Sequence, residues 1–341
     1  MSVNIKDVIN NGKKIKLFKS LGSNSIQKIL ACGALVALYV FFSFFGNNFL
    51  SVATLVNILA ASYYIGFLAI GETFVIITGG IDLSVGTVMI CSALIGGVAY
   101  EVWHWPIAVA LGLVIVIATF FGLLNGIFVA KLKIPPFVAT LGTMMISMGF
   151  GAIISKVMTV HFPAITDPDG WFKFIFYKTQ GRFPIGAVWL AAFIVIASVI
   201  LGKTLLGRYI YSIGSNEEAT RLSGVGVDNY KIAVYALSGF FAGLGAIVFI
   251  SAYSSIIPAT GTGIELLAIA GVVIGGTSLA GGIGTISGTL IGVYIMSVLR
   301  QGLMSMNLQS QWQTFFTGIV VIGAVTLDNY RTKKASEIKK D

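Results

Sequence analysis

The chain has 341 residues, 56% of them hydrophobic and only 10% charged, with a formal net charge of +9. A soluble domain carries about 25% charged residues, so this composition excludes an ordinary soluble enzyme and belongs to a multispanning membrane protein. The basic residues gather at the two termini and in a few short loops, where the positive-inside rule places them, and not in a patch suited to nucleic acid.

Residues 1–27 read as a cytoplasmic N-terminal segment. Six lysines lie within residues 1–28, and the apolar stretch that follows ends in Phe45-Gly46-Asn47-Asn48 without a small-x-small cleavage pattern. A retained first span is therefore expected. Apolar stretches of about twenty residues fall at 28–46, 51–78, 84–100, 106–130, 136–155, 184–202, 231–252, 264–278, 283–300 and 312–328. The reading is an all-α integral membrane protein of about ten transmembrane helices, with a transmembrane domain over 28–328 and a cytoplasmic tail over 329–341. The eighth and ninth stretches are short and glycine-rich. With the N-terminus inside, seventeen of the 22 lysines and arginines fall on the inner side. Five (Lys156, Lys173, Lys178, Arg182 and Arg300) fall on the outer side. That bias predicts an even number of spans with both termini cytoplasmic.

Two connecting segments stand out. The exterior loop 156–183 mixes four basic residues with Trp171, Phe172, Phe174, Phe176 and Tyr177, and is expected to be an amphipathic segment lying on the membrane or meeting a partner. The inner loop 203–230 holds Ser215 and Glu218 at capping-box spacing, predicting a short helix from there. Gly224 is placed to end it in a left-handed cap. Gly284, Gly288 and Gly292, with Gly239/Gly243 and Gly122/Gly126, repeat the spacing that lets helix backbones approach closely in lipid, within the chain or between protomers. Residues 79–97 and 275–292 weakly echo each other: a Gly-Gly turn, then Ser and Gly-Thr, then an apolar helix.

No catalytic constellation is present in this reading. Gly202-Lys203-Thr204 has Ala197 where a P-loop has its first glycine and follows a span, not a strand. Gly276-Thr277-Ser278-Leu279-Ala280 falls one residue short of a nucleophile elbow. Cys32 and Cys91 make no framework, and His104 and His161 fall in predicted loops, so neither a disulfide scaffold nor a metal site is expected. The chemistry lies in the membrane. Asp82 sits in Gly79-Gly80-Ile81-Asp82-Leu83-Ser84-Val85-Gly86-Thr87, where a charge costs about 2.5–3.5 kcal/mol on insertion scales. It reads either as the N-cap of the third span, bonding amides near Ser84 and Val85, or as part of a polar path or gate. Glu72 and Glu265 read equally as packing acids hydrogen-bonded to neighbouring helices. With Asn57, Ser62, Ser84, Asn125, Thr140 and Thr143, the inventory suits an uncharged polar solute better than an ion.

Four runs appear in order: Thr78 to Gly86, Lys133-Ile134-Pro135-Pro136-Phe137-Val138-Ala139-Thr140-Leu141-Gly142-Thr143, Gly207-Arg208 through Gly214-Ser215-Asn216-Glu217-Glu218-Ala219 to Val225, and Ile274-Gly275-Gly276-Thr277 through Thr285. Over about residues 30–330 this series resembles the permease subunit of bacterial ABC importers for monosaccharides, the ribose/galactose/arabinose/xylose group. The resemblance implies a ten-helix importer permease of the vitamin B12-permease (type II) type in the bacterial inner membrane. It also implies no cofactor and no nucleic acid. The implied partners are an ABC ATPase dimer on separate chains, an extracytoplasmic sugar-binding protein, a second permease subunit (a homodimer or a paralogue) and membrane lipid. Ser215, Asn216, Glu217, Glu218, Ala219, Arg221 and Gly224 would couple to the ATPase. Asp82, Ser84, Asn57, Thr140, Thr143 and Glu265 are the pathway and gating candidates. Permeases for nucleosides, autoinducer-type sugars or branched-chain amino acids share the pattern. An ion-coupled secondary carrier is the rival outside the class, and a membrane enzyme a more distant one.

Overall fold

The computed structural model describes residues 23–177 and 183–338. The lysines of residues 1–22, Lys178, Arg182 and residues 339–341 lie outside them. Seven helices among the described residues are long and apolar enough to cross a membrane: α1 (Ser23–Phe45), α2 (Val52–Ile77), α4 (Ile107–Ala130), α5 (Pro136–Ile154), α7 (Ile185–Lys203), α10 (Val227–Ala252) and α12 (Ile286–Ser305). Two further apolar helices are shorter, α3 (Val85–Glu101) and α11 (Ile264–Ile274). At 1.5 Å per residue α11 rises about 16 Å, half of a bilayer core. The last helix, α13 (Ser310–Ile338), runs well past the stretch read from hydropathy.

The helices begin where the sequence supplies caps. The Ser51 hydroxyl accepts from the Thr54 amide at the head of α2, and Thr285 does the same for Gly288 at the head of α12. α5 opens on Pro135-Pro136, whose fixed φ suits the first helical position. α2, α10 and α12 bury most of their residues, whereas α1, α5 and α7 expose most of theirs to the space that lipid fills. α2 is the central post. It packs against α7, α10, α11 and α12, and α10 in turn packs along α4 and α3.

Glycine makes these contacts close. A Cβ on Gly239 would lie 2.4 Å from the Ala118 carbonyl, and one on Gly122 would lie 2.3 Å from the Tyr235 carbonyl, so α4 and α10 touch backbone to backbone. Gly288 and Gly292 face Gly275 and Gly271 in the same way, where a Cβ would meet carbonyl oxygens at 2.1 and 1.8 Å. This glycine spacing therefore serves packing of α12 on α11 within the chain. Gly284 lies ahead of α12, in a turn against Ile77, and so is not on that helix face.

Two departures from the expectations lie at the α2 N-terminal end. His161 is in a strand, β1 (Val160–His161), paired antiparallel with β2 (Ser255–Ile256), and not in a loop. Its amide donates to Glu101 at 2.8 Å. The segment after β1 forms a 3-10 turn (Pro168–Gly170) and α6 (Trp171–Phe176). It is tucked onto the bundle: Phe172 is fully buried, and the buried Lys173 ammonium donates to the Ser254 hydroxyl at 2.6 Å. Burial lowers the Lys173 pKa, and Asp167 partly offsets the shift. Trp171 and Ile175 keep an apolar outer face.

Candidate functional site

The residues picked out by sequence occupy three places. The first is the turn between α2 and α3. Gly79 takes a left-handed φ of 79° and lets the chain leave α2. Asp82, 1% exposed, then folds back onto its own backbone. Its Oδ1 accepts from the Ser84 amide at 2.9 Å, from the Ser84 hydroxyl at 2.6 Å and from Asn125 Nδ2 of α4 at 3.2 Å. Asn125 also donates to the Ser84 hydroxyl at 2.9 Å. The expected N-cap is thus corrected. Ser84 occupies that position, and Asp82 makes an Asx turn two residues on, without bonding the Val85 amide. Thr140 of α5 makes a long contact (3.4 Å) to the Ile81 carbonyl, and Ser147 donates to the Thr87 hydroxyl at 2.8 Å, so α5 is tied to the same turn. Thr143 is buried on α5, its hydroxyl without a partner.

Glu265 meets this turn from the other side. It lies in the first turn of α11, its Oε1 accepting from the Gly263 amide at 2.8 Å. Only a glycine at 86 leaves room for it, because a Cβ there would come within 2.6 Å of Glu265 Oε2. The N-termini of α3 and α11 therefore meet inside the bundle. The positive ends of two helix dipoles give the carboxylates of Asp82 and Glu265 a reason to be there. Non-helical backbone at this depth is tolerated only where protein or water satisfies it. Glu72, on α2, has Asp82 and Glu265 as electrostatic neighbours and is fully buried with both oxygens unpartnered. Neither Glu72 nor Glu265 bonds to a neighbouring helix. That corrects the expectation for both: Glu72 faces other acids, and Glu265 bonds its own helix start through Oε1 while its buried Oε2 has no partner.

The second place is the short helix α9 (Glu217–Leu222), which follows α8 (Leu205–Ser215). The capping box is corrected by one residue. Ser215 is the last residue of α8, so the extended Asn216 caps α9, its side chain accepting from the Ala219 amide at 2.9 Å. Glu218 is left exposed and takes no part in the cap. The left-handed stop is as expected. Gly224 has φ 83°, its amide donates to the Arg221 carbonyl, and the Val225 amide donates to the Thr220 carbonyl, a Schellman pair. Ion pairs hold α9 to the bundle. Glu217 pairs with Lys231 (2.5 Å) and Arg221 (3.3 Å), and Asp228 pairs with Arg221 (2.8 Å) and Lys133 (2.9 Å). Burial alone would raise the Glu217 carboxyl, but the bonds and charges of Lys231 and Arg221 outweigh it and hold it below the usual carboxylate range. Leu222, 84% exposed, points away from all of this.

α8 is joined to the membrane part through glycines. A Cβ on Gly214 would sit 1.7 Å from the Ile77 carbonyl and 2.5 Å from the Gly282 amide. That amide donates to the Ile77 carbonyl at 2.8 Å. A Cβ on Gly281 would lie 2.8 Å from the Gly214 carbonyl and 3.1 Å from the Gly79 amide nitrogen. The Tyr211 hydroxyl adds a bond to the Gly284 carbonyl at 2.7 Å. The turn after α2 thus meets the Gly281-Gly282 turn ahead of α12, with α8 pressed onto both, whereas Gly275 of the echoing Gly-Gly pair packs against Gly288.

The third place is at the far end of α2, where Asn57 is separated from the other candidates. It borders a recess with Tyr64 and Arg300. Sequence reading passed over Tyr64 and put Arg300 at the end of a span, yet α12 continues to Ser305 and carries Arg300 within it. Leu222 was also passed over, since an exposed leucine has no signature in a single sequence.

Comparison with known proteins accords with this arrangement. Residues 54–325 match the family described as branched-chain amino acid transport system / permease component. The chain is 40% identical over 304 residues to the ribose import permease protein RbsC of Escherichia coli (strain K12), covering 87% of this chain and 92% of that protein. It is 38% identical over 311 residues to the ribose import permease protein RbsC of Bacillus subtilis (strain 168), covering 90% and 94%. It is 31% identical over 379 residues to the xylose transport system permease protein XylH of Escherichia coli (strain K12), covering 94% and 95%. The chain belongs to this family of ABC importer permeases, multi-pass proteins of the bacterial inner membrane that are transporter components and not enzymes.

Proposed function

We propose that this chain forms the membrane path for a neutral monosaccharide, of pentose type, in an ATP-driven importer. The carrying observation is the likeness, along nearly its whole length, to permeases named for ribose and xylose. Among the described residues no lysine or arginine pairs with Asp82 or Glu265, which supports it. A charged solute or an ion pair calls for internal bases, whereas the hydrogen bonds to Asp82 here come from neutral hydroxyl and amide groups.

In this reading α3, α11 and α13 complete a set of ten transmembrane segments of the type II importer kind, with both termini cytoplasmic. The α8–α9 end faces the cytoplasm, where Lys131, Lys133, Arg221 and Lys231 also lie. α9 is the coupling helix: Ser215, Asn216, Glu217, Glu218, Ala219, Arg221 and Gly224 shape it, and Leu222 is its apolar contact for a cleft in the ATPase. Closure of two ATPase domains moves α8. The glycine junction at Ile77, Gly214 and Gly282 carries that motion to the Asp82 turn, where Ser84, Thr140, Thr143 and Glu265 shape the gate. A second permease subunit, identical or paralogous, supplies the other half of the path, and a binding protein delivers the sugar outside. The test is ATP-driven uptake in proteoliposomes holding the permease, its ATPase and its binding protein. Ribose or xylose should accumulate and be competed by each other, not by leucine or adenosine. Uptake of leucine or adenosine in place of pentose would replace the sugar reading.

A further inference from the structure

Asn57 borders a recess of about 270 Å³ walled by α2, α10 and α12, with Tyr177 and Tyr253 at its edge. Twenty residues of α2 separate Asn57 from Ile77, about 30 Å at helical rise, so the recess is at the end of the bundle opposite α9. Its polar residues are Asn57, Gln301, Arg300 and the three tyrosines Tyr64, Tyr177 and Tyr253. Arg300 Nη1 donates to the Tyr64 hydroxyl at 3.0 Å, and among the described residues no carboxylate pairs with Arg300. The aromatic wall is fixed in advance. The Tyr64 ring stands edge-on to Phe249 at 5.3 Å, and Phe249 packs on Tyr253 at 4.7 Å.

We propose that this recess is a solute-contact site on the outer part of the path, taking one neutral sugar ring released from the binding protein. The inference rests on the sugar-permease reading above. A volume just under the ~300–1,000 Å³ of drug-sized pockets suits a solute of monosaccharide size. Arginine and amide groups in fixed positions offer forked donors to adjacent ring hydroxyls, and the amides also accept. The tyrosine faces provide flat surfaces for the C–H side of the ring. The unpaired positive charge of Arg300 repels cations, so the site favours a neutral solute over a metal ion or an amine. The competing role is structural: Arg300 reaching to the outer interface with Tyr64 as its anchor. A purely structural Arg300 predicts that changes around it alter assembly and thermal stability but leave the dependence of uptake on sugar unchanged.

The test uses the full complex in proteoliposomes. Asn57→Ala and Gln301→Ala each should raise the KM for sugar-loaded binding protein, or lower pentose uptake per ATP hydrolysed, by about three- to tenfold, the worth of one ordinary hydrogen bond. Tyr253→Phe should retain uptake that Tyr253→Ala loses, because the ring face is what is used. A second measurement does not depend on activity of a weakened variant. In a Cys32→Ser background, Asn57→Cys should react with a membrane-impermeant thiol reagent added outside, and sugar-loaded binding protein with a trapped ATPase should protect it more than sugar-free binding protein does. Wild-type KM and wild-type sugar moved per ATP in the Asn57→Ala/Gln301→Ala double variant, or labelling indifferent to sugar, overturns the site while leaving the permease reading standing. Failure of the wild-type complex to move any pentose overturns both.

Discussion

Asp82 concentrates three hydrogen bonds on one oxygen, from the Ser84 amide, the Ser84 hydroxyl and Asn125. An asparagine keeps an acceptor oxygen at that place, and an alanine does not. Asp82→Ala leaves these buried donors without an acceptor, at about 1–3 kcal/mol for each one left unsatisfied. It should lower the thermal unfolding midpoint of the detergent-solubilised chain, whereas Asp82→Asn should hold it near wild type. If Asp82 serves the turn and its gating without touching the sugar, Asp82→Asn also leaves the KM for sugar-loaded binding protein unchanged. A raised KM in a well-assembled Asp82→Asn complex would move the residue into solute contact. Its burial and its ties to Ser84 were readable from a carboxylate beside glycine and serine in an apolar run. The bond from Asn125 was not, because it joins residues 43 apart. Nor was the isolation of Glu72, since whether a buried acid has a partner depends on which helix faces it.

At the scale of elements, α9 has two faces with different duties. Glu217 and Arg221 tie it to Lys231 and Asp228, while Glu218 and Leu222 are exposed. Surface ion pairs are worth at most about 1 kcal/mol each, so the network orients α9 more than it stabilises the bundle. Leu222→Ala removes exposed apolar surface and costs the isolated permease nothing measurable in its unfolding midpoint. It should nevertheless raise the ATPase concentration needed for half-maximal stimulated hydrolysis about tenfold, the loss expected for one central contact residue. Glu218→Lys sets a positive charge at the positive end of α9 and should lower sugar-stimulated hydrolysis with membrane insertion intact. Normal transport by both variants would remove the coupling role from α9. The helix itself was legible from its polar run and Gly224. Its start was misread by one residue because the amphipathic α8, capped by Thr204, runs up to it and takes Ser215 as its own last residue.

The junction between α8 and the membrane helices gives a sharper contrast. Gly214→Ala forces a methyl carbon to within 1.7 Å of the Ile77 carbonyl, a contact that only backbone displacement relieves. Uptake should fall at least tenfold, and the ATP hydrolysed per sugar moved should rise if the complex still assembles. Gly112→Ala is the matched control, because nothing lies within 4 Å of its added carbon. It should transport as wild type. Uptake by Gly214→Ala at the wild-type rate would mean that α8 moves independently of the Ile77 turn. The glycine spacing in the sequence announced close backbone contact, yet it did not say between which segments. Gly288 and Gly292 found Gly275 and Gly271 of the same chain, so this face is already occupied and is not open to another chain.

Across the whole molecule, the apolar length of each helix carried most of the architecture. α11 begins at Ile264 as the eighth apolar stretch does, but ends at Ile274, because Gly275 caps it and Gly276 turns the chain at φ 96°. What the chain lacks also bears on its energetics. Ala197 replaces the glycine a phosphate-binding loop needs, and Gly202-Lys203-Thr204 lies on helix α7 and its end, not after a strand. The intramembrane acids Asp82 and Glu265 sit at helix starts, each with one oxygen taken by a local amide, an arrangement that fixes a turn. Purified alone into liposomes, the protein should therefore hydrolyse no ATP and accumulate no sugar against a gradient, whatever proton or sodium gradient is imposed. Adding its ATPase and its sugar-loaded binding protein should produce both activities together, with ATP inside the cytoplasmic-equivalent compartment. Sugar accumulation by the isolated chain under an ion gradient would make it a secondary carrier. The Glu72, Asp82 and Glu265 carboxyls would then be the first groups to replace by their amides.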